Sequence, residues 1–283
     1  MTALLFDCDG VLADTERYGH LPAFNLMFEE QGVPAHWSED EYAEKLKIGG
    51  GKERMASMFA EPGFAEEVAR RSGMSPDDEA GRKELLAGWH KSKTAHFKQL
   101  VADGEIPPRS GIHRIVNEAL DAGWTVAVCS TSAEESVRAV FERAAGADAA
   151  RRVTFFCGDI VPAKKPAPDV YLLAVEKLGL DKADTLVVED SRNGLRAAVA
   201  AGLHCLVTVN GYTREENFDE ATLVVSELGD PDGPPIEVIA NRGAATPQGY
   251  VTLDDLRACL SAPVPSPQPP AGEVKDPEEG GAG

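Results

Sequence analysis

Short apolar runs recur along this chain, separated by polar turns and by segments with apolar residues every three or four positions. The first run, Ala3-Leu4-Leu5-Phe6, is apolar throughout, as a strand covered on both faces requires. Runs over 124–129, 153–156, 185–188, 205–208 and 222–225 predict further strands. Helical spacing predicts helices over 112–122, 134–145, 170–178, 192–201 and 253–260. Strands that alternate with helices in this way give an α/β fold, a parallel sheet with right-handed crossovers.

The alternation is interrupted once. Between Thr15 and about residue 100 the pattern is helical only. Leu21, Phe24, Met27 and Phe28 predict a helix over 16–32, with Gly32 as its stop. Others are expected over 39–47 and 82–103, with Gly49-Gly50-Gly51 breaking the pattern between them. The expected organisation is a core made of residues 1–14 and 104–260, with 15–103 inserted as a helical cap domain. Residues 229–249 are rich in Gly and Pro and read as a loop or local insertion. Residues 261–283 are Pro, Gly, Ser and acid with few bulky apolar side chains, so this tail is expected to be disordered.

Charge changes the picture of partners. The formal net charge is -19, which argues against nucleic acid and anionic membranes as partners. An anionic ligand would need a local cluster of Lys and Arg. No apolar run reaches the roughly 20 residues of a membrane span. A first strand at Ala3 leaves no room for a signal or transit segment, and a trimmed leader would leave the same start. The five cysteines Cys8, Cys129, Cys157, Cys205 and Cys259 are widely spaced and form no CxxC pair. They read as reduced, buried small hydrophobes. An acidic surface without an evident apolar patch favours a monomer.

Candidate chemistry collects where strands end. In open α/β sheets ligands bind at the carboxyl ends of the strands. Asp7 and Asp9 follow the first strand and point the same way, and Gly10 turns the chain out of the sheet. Two such acids repel unless a cation lies between them, and Mg²⁺ is the expected one. Ser130-Thr131-Ser132 follows the second strand, where hydroxyls and helix amides can hold an anion and also cap the next helix, two compatible readings. Lys164-Lys165-Pro166 offers a fixed cation. Glu189-Asp190 ends another strand and would complete an oxygen-rich shell with Asp7, unless these acids only favour a helix start. In the helical insertion, Gly50-Gly51-Lys52-Glu53-Arg54 combines an amide-rich turn with two cations, which suits a second phosphate. Glu16, His20, Tyr42, His90 and Lys91 are further polar candidates there, each of which reads more readily as surface than as site.

Taken in order, Asp7-x-Asp9-Gly10-Val11-Leu12-Ala13-Asp14-Thr15, Ser130, Lys165-Pro166-x-Pro168-Asp169 and Glu189-Asp190-Ser191-x-x-Gly194 resemble the motifs of the haloacid dehalogenase superfamily of phosphatases and phosphomutases. The resemblance covers residues 3 to about 225. It implies a haloacid dehalogenase-like Rossmannoid core with an inserted cap. It implies Asp7 as nucleophile and Asp9 as general acid and base that also lends its carbonyl to Mg²⁺. Ser130 then binds the phosphoryl group, and Lys165 rather than Lys164 neutralises it. Asp190 would be a direct metal ligand, with Glu189 sharing the site or acting through water.

Within that superfamily the stretch Lys47 to Met55, with residues 7–16 and 128–132, is similar to the CbbY proteins of photosynthetic organisms, above all the chloroplast form. That similarity implies removal of a phosphate from xylulose 1,5-bisphosphate, an inhibitor of Rubisco. Glu16, the residues from Gly50 to Arg54, His90, Lys91 and those from Ser130 to Ser136 would then line the sugar bisphosphate. It also implies a chloroplast stroma setting, or a cytoplasmic one for a bacterial source. The rival reading within the fold is a phosphosugar mutase of the β-phosphoglucomutase type. An idle binding protein would have no chemical need for intact Asp7, Asp9, Lys165 and Asp190.

Overall fold

The computed structural model describes residues 2–73, 75 and 77–263. Its strands are β1 (Ala3–Phe6), β2 (Thr125–Ser130), β3 (Thr154–Cys157), β4 (Thr185–Glu189), β5 (His204–Thr208), β6 (Leu223–Val225) and β7 (Val238–Asn241). Its helices are α1 (Leu21–Glu30), α2 (Glu39–Leu46), α3 (Gly51–Ser57), α4 (Phe64–Ser72), α5 (Glu79–Asp103), α6 (Ile112–Asp121), α7 (Glu134–Ala145), α8 (Ala147–Ala150), α9 (Asp169–Leu178), α10 (Arg192–Ala200) and α11 (Leu253–Leu260).

The seven strands form one sheet in the order β3-β2-β1-β4-β5-β6-β7. β1 lies between β2 and β4, with Phe6 in register with Val128 and Val188. The sequence leaves β1 in opposite directions on its two sides, which opens a crevice at the carboxyl ends of β1, β2 and β4. Both faces are covered. Leu4, Phe6, Leu186 and Val188 point into one apolar cluster with Ile115, Val140 and Phe141. Leu5 and Val187, one position along, point into the other with Val170, Tyr171 and Leu195. The continuous apolar runs seen in the sequence follow from this double burial.

β7 corrects the expectation for 229–249. It adds antiparallel to β6 as the sheet edge, Val224 beside Ala240. Gly and Pro on either side disguise a four-residue strand that, among the described residues, has one neighbour. The expected tail falls mostly on residues 264–283, outside the described residues.

The helices from α1 to α5 pack around Phe24, Phe28, Trp37, Tyr42, Met55 and Trp89. α5 also reaches the sheet layer, through Phe97 and Val101. The helix expected over 16–32 is two pieces, a π-helical turn at Glu16–His20 and then α1. Pro22 is the cause: it has no N–H to give and its ring crowds the turn before it. This break sets Glu16 and His20 apart from the regular face of α1.

Candidate active site

Asp7 extends β1 by one residue, its N–H donating to the Val188 carbonyl at 2.9 Å. Its side chain is buried. Lys165 reaches it from the loop before α9, and Nζ donates to Asp7 Oδ1 at 2.5 Å, Glu189 Oε1 at 2.6 Å and the Cys129 carbonyl at 2.9 Å. One ammonium therefore ties the ends of β1, β2 and β4 together. Carboxylate oxygens of Asp7, Glu189 and Asp190 lie within 4.8 Å of one another.

Three acids around one ammonium leave the pocket short of positive charge. Burial, with Glu189 and Asp9 nearby, raises the Asp7 carboxyl against the pull of Lys165. Burial and the charges of Glu189 and Asp7 push Asp190 well above the ordinary carboxylate range. Burial alone would lower Lys165, but Asp7 and Glu189 outweigh it and raise the ammonium further. An oxygen-only donor set that is under-compensated in this way fits a hard divalent cation.

A carboxyl raised above its unfolded value binds extra protons in the folded state, so stability without a cation falls as pH rises past about 4. A bound cation replaces those protons. Adding Mg²⁺ to chelator-treated protein is expected to raise the melting temperature more near pH 8 than near pH 5. Equal shifts at both pH values would refute the assignment.

Two glycines make room for the acids. Gly10 has φ +77°, and a Cβ there would lie 2.0 Å from Asp190 Oδ2. At Gly194 a Cβ would lie 1.9 Å from the Glu189 carboxyl carbon. Arg109 fixes the turn after Asp9: it donates to the carbonyls of Gly10 at 3.0 Å, Val209 at 2.8 Å and Ser226.

Asp9 is held differently. Thr15 Oγ1 donates to its Oδ1 at 2.7 Å, His20 Nε2 to the same oxygen at 3.0 Å, and Ser132 Oγ to Oδ2 at 2.6 Å. Burial pulls the carboxyl up, but the His20 ring and these donors outweigh it and hold Asp9 well below the usual range. Lys93 Nζ lies 2.7 Å from His20 Nδ1. An ammonium only donates, so Nδ1 accepts and the Nε2 proton faces Asp9. Burial pushes Lys93 down to about 8. The Asp9 side chain is committed to this network, so a place for Asp9 in the metal set rests on its main-chain carbonyl alone.

A cavity of about 360 Å³ opens over these strand ends. Of the residues singled out from sequence, Asp7, Asp9, Glu16, His20, Gly50, Gly51, Lys52, Glu53, Arg54, His90, Thr131, Ser132, Lys165, Glu189 and Asp190 line it. Three do not. Ser130 is buried, its Oγ accepting from the Ser132 N–H at 3.1 Å, and the wall at this loop is Thr131, Ser132 and Ala133. The capping reading fails there too, because Ala133 occupies the N-cap of α7 and provides no side-chain cap.

Tyr42 is wholly buried beneath the wall, where its hydroxyl donates to Glu16 Oε2 at 2.5 Å and accepts from Arg54 Nη1 at 2.9 Å. It orients the two wall residues without touching the cavity. Lys91 is exposed on the far side of α5. The face of α5 on the cavity is His90, Lys93, Thr94 and Phe97. That i, i+3, i+4, i+7 series was the signal in the sequence that would have selected Lys93 over Lys91.

The far wall carries the cations. Arg54 also donates through Nε to the Ile48 carbonyl at 3.0 Å, and its Nη1 lies 3.5 Å from Glu16 Oε2. Lys52 stands at the mouth. His90 is lowered to about 4 by burial and by Lys93 and Lys52, so it enters neutral chemistry as an uncharged ring. Lys164, passed over in favour of Lys165, pairs with Glu53 at 3.3 Å across the cavity mouth. All five cysteines are free and buried. Among the described residues no helix is long and apolar enough to cross a membrane.

The site thus sets a strand-end aspartate against a lysine, with a hydrogen-bonded second carboxylate and an acid cluster beside it. The chain belongs to the haloacid dehalogenase-like hydrolases, whose family model matches residues 1–202. It is 48% identical over 230 residues to a CBBY-like protein of Arabidopsis thaliana, covering 81% of this chain and 70% of that protein. It is 40% identical to the plasmid-encoded CbbY of Cupriavidus necator, covering 83% and 88%. The crystal structure of CbbY from Rhodobacter sphaeroides in complex with phosphate superposes with a TM-score of 0.71 at 37% identity, covering 82% of this chain and 97% of that one. A mutant of that protein was solved with xylulose-(1,5)bisphosphate, with the same score and coverage. The chain is therefore a phosphoric monoester hydrolase of this family.

Proposed function

We propose that this phosphatase is Mg²⁺-dependent and removes one phosphate from a sugar bisphosphate, xylulose 1,5-bisphosphate, through an aspartyl phosphate on Asp7. The observation that carries the reading is the placing of charge in one cavity. Asp7 and Lys165 stand at its floor, and Lys52 and Arg54 stand on the opposite wall. A ligand with a phosphate at each end matches that distribution. The Rhodobacter sphaeroides relative solved with xylulose-(1,5)bisphosphate supports the choice of sugar.

Asp7 attacks phosphorus, and the bond from phosphorus to the sugar oxygen breaks. Asp9 supplies the proton that oxygen needs. It starts ionised, and the phosphate dianion, a like charge beside it, raises its carboxyl so that it can carry that proton. In the second half Asp9 takes a proton from water, the oxygen attacks phosphorus, and Asp7 is restored. Lys165 offsets charge on Asp7 and on the phosphoryl oxygens throughout. Asp7, Glu189 and Asp190 would hold Mg²⁺, which when bound adds positive charge where carboxylates and phosphate crowd. The likeness to a protein of Arabidopsis thaliana supports a plant source, for which the same proposal takes the plastid stroma as the setting.

The test is phosphate release with Mg²⁺ from xylulose 1,5-bisphosphate, ribulose 1,5-bisphosphate and glucose 1-phosphate. The first is expected to be cleaved with kcat/KM at least about 100-fold above the others, roughly what 3 kcal/mol of selective contact provides. Conversion of glucose 1-phosphate to glucose 6-phosphate with a bisphosphate primer, without net phosphate release, would replace this reading by a mutase.

A further inference from the structure

Tyr171 belongs to none of the motifs above. It sits on the covered face of α9 and is fully buried, so it passes for core. Its polar end is aimed at the site. The hydroxyl donates to Glu189 Oε1 at 2.6 Å, the same oxygen that accepts from Lys165 at 2.6 Å. Its ring lies against that ammonium, 4.9 Å from Nζ to the centroid.

Lys165 has three protons, and in the resting protein they are engaged by Asp7, Glu189 and the Cys129 carbonyl. A phosphoryl group arriving on Asp7 brings new anionic oxygens to the same ammonium. To meet them Lys165 must give up a partner. Among the described residues, Glu189 Oε1 is the one of these three acceptors with a second side-chain donor on the same atom. It can be released without leaving a buried carboxylate oxygen bare, which would be costly.

We propose that Tyr171 is a positioning residue: its hydroxyl holds the Glu189 carboxylate while Lys165 turns to the phosphoryl group in transfer. This rests on Asp7 as the nucleophile. The phenol suits the role, because its O–H is a donor already seated on Glu189 Oε1 at 2.6 Å, and its ring is fixed in the core of the sheet layer. Its effect acts through Lys165 and Glu189, so it belongs to the transfer step and not to sugar binding.

The experiment is Tyr171→Phe in the full chain with Mg²⁺, which keeps the ring and removes the donor. kcat for phosphate release is expected to fall about 10-fold with KM within about 2-fold of wild type, the signature of an interaction strengthened during transfer. Binding of orthovanadate, a mimic of five-coordinate phosphorus, measured by calorimetry, is expected to weaken by about the same factor. In a Glu189→Gln background the same change should cost less than about 2-fold in vanadate affinity, since no carboxylate remains to be held. Unchanged kcat and vanadate affinity in Tyr171→Phe would overturn the proposal. So would an equal loss of vanadate affinity in the Glu189→Gln background, which would make Tyr171 a packing residue. A wild-type chain that releases no phosphate from any sugar phosphate yet binds vanadate would sink the substrate reading instead, and the vanadate ratios would still decide the role of Tyr171.

Discussion

Asp7→Asn is expected to lower phosphate release by about 10⁴-fold or more while leaving the protein folded, the scale on which removal of a nucleophile acts. Asp7 is the residue on which the whole constellation converges. It continues β1, it accepts from Lys165 at 2.5 Å, and it lies beside Glu189 and Asp190. An amide of the same shape can keep the hydrogen bond from Lys165 through its oxygen. It cannot form an acyl phosphate through a charged oxygen. Removing one of three crowded acids also relieves repulsion, so the variant is expected to melt no lower than wild type in the absence of metal. Phosphate assays and thermal melts on the same preparation check both halves. Turnover above a trace would remove Asp7 from the nucleophile's role, and a collapsed melting temperature would make it a structural residue.

Lys165→Met is expected to have the second largest effect, and to act on stability as well as rate. The Lys165 side chain is 9% exposed and is the link between Asp7 and Glu189. Without it two carboxylates are left facing each other in the interior, a loss on the order of 3–5 kcal/mol for a broken buried pair. The sign with pH follows. Loss of the cation removes the pull that holds the Asp7 carboxyl down, so it rises still further above its unfolded value near 4. Such groups favour folding where they are protonated, so the variant is stable at low pH and loses stability as pH rises. Urea unfolding in metal-free buffer should show a larger deficit relative to wild type near pH 8 than near pH 5. Phosphate release should fall by about 10³-fold, since the charge that faces the transferring group has gone. A deficit independent of pH would mean that Lys165 contributes packing and not charge.

Much of the sheet was legible because parallel strands buried on both faces must be apolar at every position. β1 and β4 announced themselves in this way, and so did the acids that end them. β7 did not. An edge strand of four residues, bonded on one side and flanked by Gly and Pro, has neither a continuous apolar run nor clean alternation. The helical insertion was legible as helix and less so as wall. His90 and Lys91 are neighbours in sequence and about 100° apart around α5, so one lines the cavity and the other meets solvent. Ser130 and Tyr42 were drawn toward the ligand by their chemistry, and packing turned both inward.

The sequence by itself determined that carboxylates, hydroxyls and a lysine would share one edge of a sheet. Residues that end parallel strands arrive at the same rim whatever else the chain does. Only the tertiary structure decided which partners hold them. Arg109 reaches Val209 across 100 positions and Gly10 across 99, Lys93 reaches His20 across 73, and Tyr171 reaches Glu189 across 18. Periodicity reports which face of an element is apolar. It does not report which element that face meets, and the charges at this site are settled by those meetings.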